Sequence, residues 1–367
     1  MTAEPLLIDH HCHGLVTDDL DRAGFEALLN EASGPSPMAT TLFDSLLGLA
    51  VRRWCAPVLD LEPHASPEAY LDSRRDLGAD AVNRRFLAAA GLSDLIVDTG
   101  FGGGRLTDPA QTAAYGGARG HEIVRLETVA EDLLAQGVAP GDLAERVVRE
   151  ITSRGAVGAK SIAAYRTGLA LAPVKPTDAE LVSAASELRP AAGGRFRIAH
   201  PVVNTWLAYT AVEQGLPLQL HVGYGDADVD LAACDPLLLT GFLRATADQG
   251  VAVLLLHNYP FHRHASYLAQ VFPHVFMDLG LITHNTGALS AQVIAETLEL
   301  VSFGKFLYSS DAFGLSELFY LGSLLFRRGL GAVLGRLVEA DEMTSTDAEK
   351  VTAMIAHENA RRVYGIA

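Results

Sequence analysis

Residues 6–14 read LLIDHHCHG, an apolar run that ends in an aspartate and three histidines. Side chains alternate between the two faces of a strand. Asp9, His11 and His13 are therefore expected on one face, with His10 and Cys12 on the other. Two imidazoles two positions apart on one face can converge on a single ion, although most HxH pairs in random sequence bind nothing. Four later stretches raise the odds. PLQLH ends in His221, VLLLH ends in His257, FLYSSD ends in Asp311, and VGAKSIAAY carries Lys160 inside an otherwise apolar strand. Each could be a polar group meeting solvent, but four in order along one chain point to a shared site. Imidazole and carboxylate suit zinc and other borderline divalent metals, so a divalent ion, zinc foremost, is the expected cofactor.

Other side chains fit around such a site. Arg125 and Arg166 could each fork onto a substrate carboxylate. The competing reading is a salt bridge, such as Arg125 with Glu127. A lysine at position 160 is costly to bury unless it is paired, modified or deprotonated. His262 and His264 form a second HxH pair past a strand end, and His264 is expected at the rim in contact with substrate rather than metal. Cys12 is expected in the core.

The elements that must position these residues repeat as a short apolar strand followed by a helical pattern. Strands are predicted at 6–13, 94–101, 122–129, 156–165, 217–224, 251–260, 275–282 and 305–313, with helices between most of them. This α/β pattern predicts a (β/α)8, TIM-like barrel, whose active site lies at the C-terminal ends of the strands. A doubly wound sheet would want a glycine-rich phosphate loop after its first strand. GFGGGR at 100–105 follows the second strand and lacks the GxGxxG spacing. The 15–92 stretch is too long for one crossover helix and reads as a helical insert over the barrel mouth. The whole chain, 1–367, is expected to be a single barrel.

With 49% hydrophobic and 20% charged residues, the composition is that of an ordinary globular protein with a sizeable core. A net charge of −16 argues against nucleic acid and against anionic membrane surfaces. The three cysteines are odd in number and widely spaced, which suits a reducing compartment. The start, MTAEPLLIDHH, has neither a basic leader nor a long apolar segment. A cytoplasmic location is the expectation. The expected partner is a small-molecule substrate, and a homodimer is an open expectation because barrels with helical inserts often pair.

The HxH, His, His and Asp endings resemble the amidohydrolase superfamily of metal-dependent hydrolases, in particular its amidohydrolase-related (family 2) branch. The chain is similar to the amidohydrolase domain of the FluG and nodulin/glutamine synthetase-like proteins. VRLETVAE (124–131), GAKSIAAYRTGL (158–169), LPLQLHVGYGDADVDL (216–231), ASYLAQVFPHVFMDLGL (265–281) and KFLYSSDAFGLSE (305–317) carry that likeness. The resemblance implies that His11, His13, His221 and Asp311 hold a metal, and that Asp311 moves a proton between water and leaving group. It implies that His257 polarises a substrate carbonyl if one ion binds, or ligates if two do. Lys160 is then a carboxylated bridge between two ions, a cation for a substrate carboxylate, or a structural partner of Glu127 or Asp98. The implied reaction is cleavage of a C–N amide bond in a small carboxylate-bearing substrate, such as a γ-glutamyl amide. A family 2 decarboxylase or lyase is the alternative, and a catalytically silent scaffold the more remote one.

Overall fold

The structure is a computed structural model describing residues 5–35, 38 and 40–367. Seven strands form, most of them on apolar runs rich in Leu, Ile and Val: β1 (Leu7–Cys12), β2 (Leu92–Asp98), β3 (Arg119–Arg125), β4 (Gly158–Ser161), β5 (Leu218–Val222), β6 (Val253–His257) and β7 (Val275–Met277). Each pairs in parallel with the next in chain order. Helices such as Leu126–Ala135 and Pro201–Glu213 pack between successive strands and the surrounding layer. The fold is TIM-like.

The stretch predicted as an eighth strand, 305–313, is not a regular strand. It nevertheless lies between the two sheet edges. Leu307 N donates to Met277 O (3.0 Å), while His10 N donates to Tyr308 O (3.2 Å) and Asp311 N to His11 O (3.0 Å). Its ladder is interrupted because Ser310 N and Oγ donate to the Asp9 carboxylate, at 2.9 and 2.5 Å, in place of a backbone carbonyl. Asp311 also takes φ +52°, outside the extended region. Three predicted strands end four or more residues early: β3 gives way to the helix Leu126–Ala135, β4 stops at Ser161 before the turn Ala163–Tyr165, and β7 stops at Met277 before the short helix Ile282–Asn285.

Inside the curled sheet, Ile8, Ile96, Ile123, Leu254, Leu256 and Leu307 pack on Tyr364, apart from the larger core that joins the helices to the outer face. β1 carries a bulge, since three steps from Asp9 to Cys12 match two from Leu95 to Val97. The simple alternation predicted for LLIDHHCH fails at that point. His10 shares the interior with Ile8, meeting Tyr364 and Asp278, and the extra residue lets His11 turn inward as well. Cys12 faces the larger core as expected.

Within 15–92 lie the helices Arg22–Ala27, Leu46–Ala50, Pro67–Leu77 and Ala79–Ala90. The side chains of Asp21, Ser45 and Ser66 accept from backbone N–H groups at the starts of the first three. Ala27 and Asn30–Ser33 border the central cavity. Ala79–Ala90 instead packs in the outer layer against Ser316–Glu339. That last helix is long and apolar enough to span a membrane by composition, yet 61% of its most apolar window is buried within the protein.

Candidate metal centre

The strand ends deliver imidazoles and a carboxylate to one place. Asp311 Oδ1 lies 3.1 Å from His11 Nε2 and 3.4 Å from His13 Nε2, and its Oδ2 lies 3.3 Å from His257 Nδ1. All four residues are buried. His257 and Asp311 both have positive φ, +67° and +52°. Non-glycine residues rarely adopt that conformation, and when they do it is often at functional sites. Asp278, below them, holds His257 in place by accepting its backbone N–H at 2.6 Å. His13 Nδ1 donates to the Asp98 carbonyl at 3.2 Å, an acceptor only, which leaves Nε2 as the nitrogen that faces Asp311.

Donor atoms fall within 4.8 Å of one another in two sets, His11 with His13 and Asp98, and His11 with His257 and Asp311. His221 stands beside them, its ring 4.5 Å from those of His257 and Tyr165. Its Nε2 is 3.1 Å from the Tyr224 carbonyl, to which it must donate, leaving the lone pair on Nδ1. Among the described residues His221 is in neither compact set. Lys160 Nζ lies 3.2 Å from His11 Nε2, on the side its lone pair faces if Nδ1 is protonated.

The protonation states suit a divalent cation. Burial pushes His11 down to about 4 and holds His221 and His257 well below their usual value. Burial alone would raise Asp311, but His257, His11 and His13 outweigh it and keep its carboxyl well below the usual range. At neutral pH the group is thus three neutral imidazoles around a carboxylate, with little competition from protons. Burial brings Lys160 down to about 8 against the opposing pull of Asp311 and Asp98. The residues present fit a bound metal ion, and His257 Nδ1, buried without a hydrogen bond, is a donor atom still to be satisfied.

Above this group lies a cavity of about 370 Å³. Lys160, Arg125 and Arg166 line it. Arg125 is committed to Asp98, donating to Oδ2 through Nε and a terminal nitrogen at 2.9 and 2.6 Å. Its predicted alternative partner, Glu127, instead accepts from Ser161 Oγ and Ile162 N. Arg166 makes one bond to Glu131 at 3.2 Å, while its buried Nε has no partner. The structure does not bring His264 to the cavity. It is exposed, pairs with Asp235 at 3.0 Å and stacks on Phe261. Sequence reasoning missed Glu31 and Arg197 on the cavity wall and Gln219 beneath His11. Glu31 and Arg197 lie in irregular loops whose reach no periodicity reveals. Gln219 did leave a signal, a lone amide inside an apolar strand two residues before His221.

A model of the Amidohydrolase family matches residues 126–366. The chain belongs to the amidohydrolase family. Protein fluG of Emericella nidulans is 30% identical over 276 residues, covering 66% of this chain and 32% of that protein. The chain therefore spans about a third of the length of that relative. A crystal structure from Lactobacillus casei ATCC 334, assigned to the metal-dependent hydrolases, superposes with a TM-score of 0.84 at 29% identity, covering 99% of this chain and 96% of that one. Uronate isomerase from Thermotoga maritima has a TM-score of 0.63 at 14% identity over 99% and 95% of the two chains, a likeness of fold. Membership of the family, with a metal-dependent hydrolase of 29% identity sharing the fold, supports an enzyme and a metal without choosing the reaction.

Proposed function

We propose that this amidohydrolase is a metal-dependent hydrolase that cleaves a C–N amide bond of a small carboxylate-bearing substrate, of the γ-glutamyl amide class. The observation that carries the reading is Asp311, which faces the imidazoles of His11, His13 and His257 at the base of a cavity whose wall holds an arginine with an unused donor. His11, His13, His221 and Asp311 are the residues that would hold one divalent ion, zinc foremost. Such an ion, when bound, supplies Lewis acidity and lowers the pKa of water from 15.7 towards about 7.

The protein's own residues do the rest. Asp311 Oδ2 accepts the proton of the attacking water and returns it to the departing amine. His257, held by Asp278, orients the substrate carbonyl. Arg166 receives the substrate carboxylate on Nε, since its contact with Glu131 leaves that donor free. Lys160 adds positive charge beside it, or bridges two ions if carbon dioxide carboxylates it. Three free, buried cysteines suit a reducing, cytoplasmic setting.

Elemental analysis, mass spectrometry of Lys160 and a panel of γ-glutamyl and other carboxyl amides test this together. The expected result is about one ion per chain, an unmodified lysine, and release of amine and acid in equal amounts with uptake of water. Arg166→Ala should raise KM for carboxylate substrates by about 10- to 100-fold, the loss of one charge-assisted contact, with a smaller change in kcat. Release of carbon dioxide, or isomerisation of a sugar acid, without amide cleavage would overturn the reading.

A further inference from the structure

Beneath the site, Gln219 Oε1 lies 2.8 Å from His11 Nδ1, and Gln219 Nε2 lies 2.8 Å from both the His10 carbonyl and the Tyr364 hydroxyl. The His10 carbonyl can only accept, so the amide NH2 must face it. Turning the amide over would set two carbonyl oxygens against each other 2.8 Å apart. The oxygen of Gln219 therefore faces His11, and His11 Nδ1 must carry the proton.

The remaining bonds agree with that direction. Tyr364 Oη accepts from Gln219 and donates to His10 Nδ1 at 3.0 Å. His10 Nε2 lies 2.9 Å from Asp278 Oδ2, a close polar contact short of hydrogen-bond geometry. The same carboxylate accepts Ser309 Oγ at 2.6 Å and, through Oδ1, the backbone N–H of His257 at 2.6 Å. Hydrogen bonds, joined by the His10–Asp278 contact, thus run from beneath His257 to beneath His11. They pass through the final helix, Asn359–Tyr364, which closes the interior of the sheet. All the side chains in this network are buried.

We infer that Gln219, anchored by the His10 carbonyl and by Tyr364, is a positioning residue that fixes His11 as the Nδ1–H tautomer and aims the Nε2 lone pair at the metal centre. The inference rests on the proposed metal site but not on the reaction or the substrate. With Nδ1 protonated, His11 Nε2 and Asp311 Oδ1 are two acceptors facing each other at 3.1 Å. That arrangement is favourable only with a cation between or beside them, from the ammonium of Lys160 or a bound metal ion. The network thereby disfavours the tautomer in which His11 would donate to Asp311 and close the site to an ion. Outer hydrogen bonds to metal-ligating histidines typically alter metal affinity by 10- to 100-fold.

The test uses the full chain with 15N-labelled histidine. Long-range 1H–15N NMR of the metal-free wild type, with His11 assigned through His11→Gln, should show Nδ1 protonated and Nε2 bare. Gln219→Met, close in length and apolar, should give a tautomer mixture and weaken zinc binding by 10- to 100-fold, with thermal unfolding near that of wild type. Gln219→Glu, which as the buried neutral acid can still accept from His11 and donate to the His10 carbonyl, should recover most of the affinity. An Nε2–H tautomer in the wild type overturns the inference. So does wild-type affinity in Gln219→Met. If Gln219→Met does not fold, the wild-type tautomer still decides. A chain that binds zinc with this tautomer but cleaves no amide would defeat the proposed reaction and leave this inference standing.

Discussion

Asp311 is the residue on which the proposed chemistry turns, because its two oxygens have different neighbours. Oδ1 sits between the Nε2 atoms of His11 and His13, and Oδ2 points to His257. One oxygen can therefore ligate while the other handles a proton. Asp311→Asn keeps the shape but replaces one oxygen with a donor and removes the charge. Turnover should fall by about 10²- to 10⁴-fold, the usual worth of a positioned general acid–base group, and metal content should drop as well. Unchanged turnover measured beside elemental analysis would remove Asp311 from the chemistry. At this scale much was legible in sequence, because a polar residue that abruptly ends an apolar strand has few places to go but the rim. His11, His13, His257 and Asp311 left that mark. His264 shows the limit, since the same residue type seven positions past His257, in the first turn of the helix His262–Val271, reaches Asp235 at the surface. The pairing of Arg125 with Asp98 rather than Glu127 depends on register between neighbouring strands, which one strand's sequence does not carry.

Among the elements, the seven strands read clearly wherever an apolar run was bounded by turn residues, and poorly where a strand bends into something else. β1 needed a bulge to face His10 and His11 inward together, and period-2 counting cannot foresee an inserted residue. The 305–313 stretch reads as a strand by its apolar run, but the Asp9–Ser310 bonds and the left-handed Asp311 replace its ladder. The helices of the 15–92 stretch are tied down by a buried polar knot of a kind composition hides. Arg74 Nε donates to Glu317 Oε1 at 2.8 Å, and the Tyr70 hydroxyl donates to the same oxygen at 2.9 Å. Arg74 and Glu317 side chains are 4% and 0% exposed, so solvent cannot replace a lost partner. Arg74→Leu leaves a carboxylate buried without its cation. It should destabilise the protein by about 3–5 kcal/mol, read as a lower denaturant midpoint with unchanged slope. Glu317→Gln with Arg74→Leu should recover part of that loss, because the uncompensated charge is then gone. Wild-type stability in Arg74→Leu would show that the knot adds nothing to the attachment of Pro67–Leu77 to Ser316–Glu339.

For the whole molecule, the consequence of the site is a link between distant parts of the chain. His11 and His13 come from its start, His221 from β5, and Asp311 from the segment that lies between β7 and β1. An ion held by all of them would join the two edges of the sheet at its C-terminal rim, where the ladder is irregular. Metal that binds only the folded state adds stability by mass action, about 2.7 kcal/mol at a free concentration one hundred times Kd. Removal by a chelator should therefore lower Tm by several degrees, and added zinc should restore it in a concentration-dependent way. His13→Ala should shrink the zinc-dependent part of that shift, whereas Arg74→Leu should lower Tm and leave the zinc increment in place, since Arg74 touches no ligand. If the chelated and zinc-loaded proteins melt together, the four side chains do not share an ion, and their convergence would be a buried polar cluster alone.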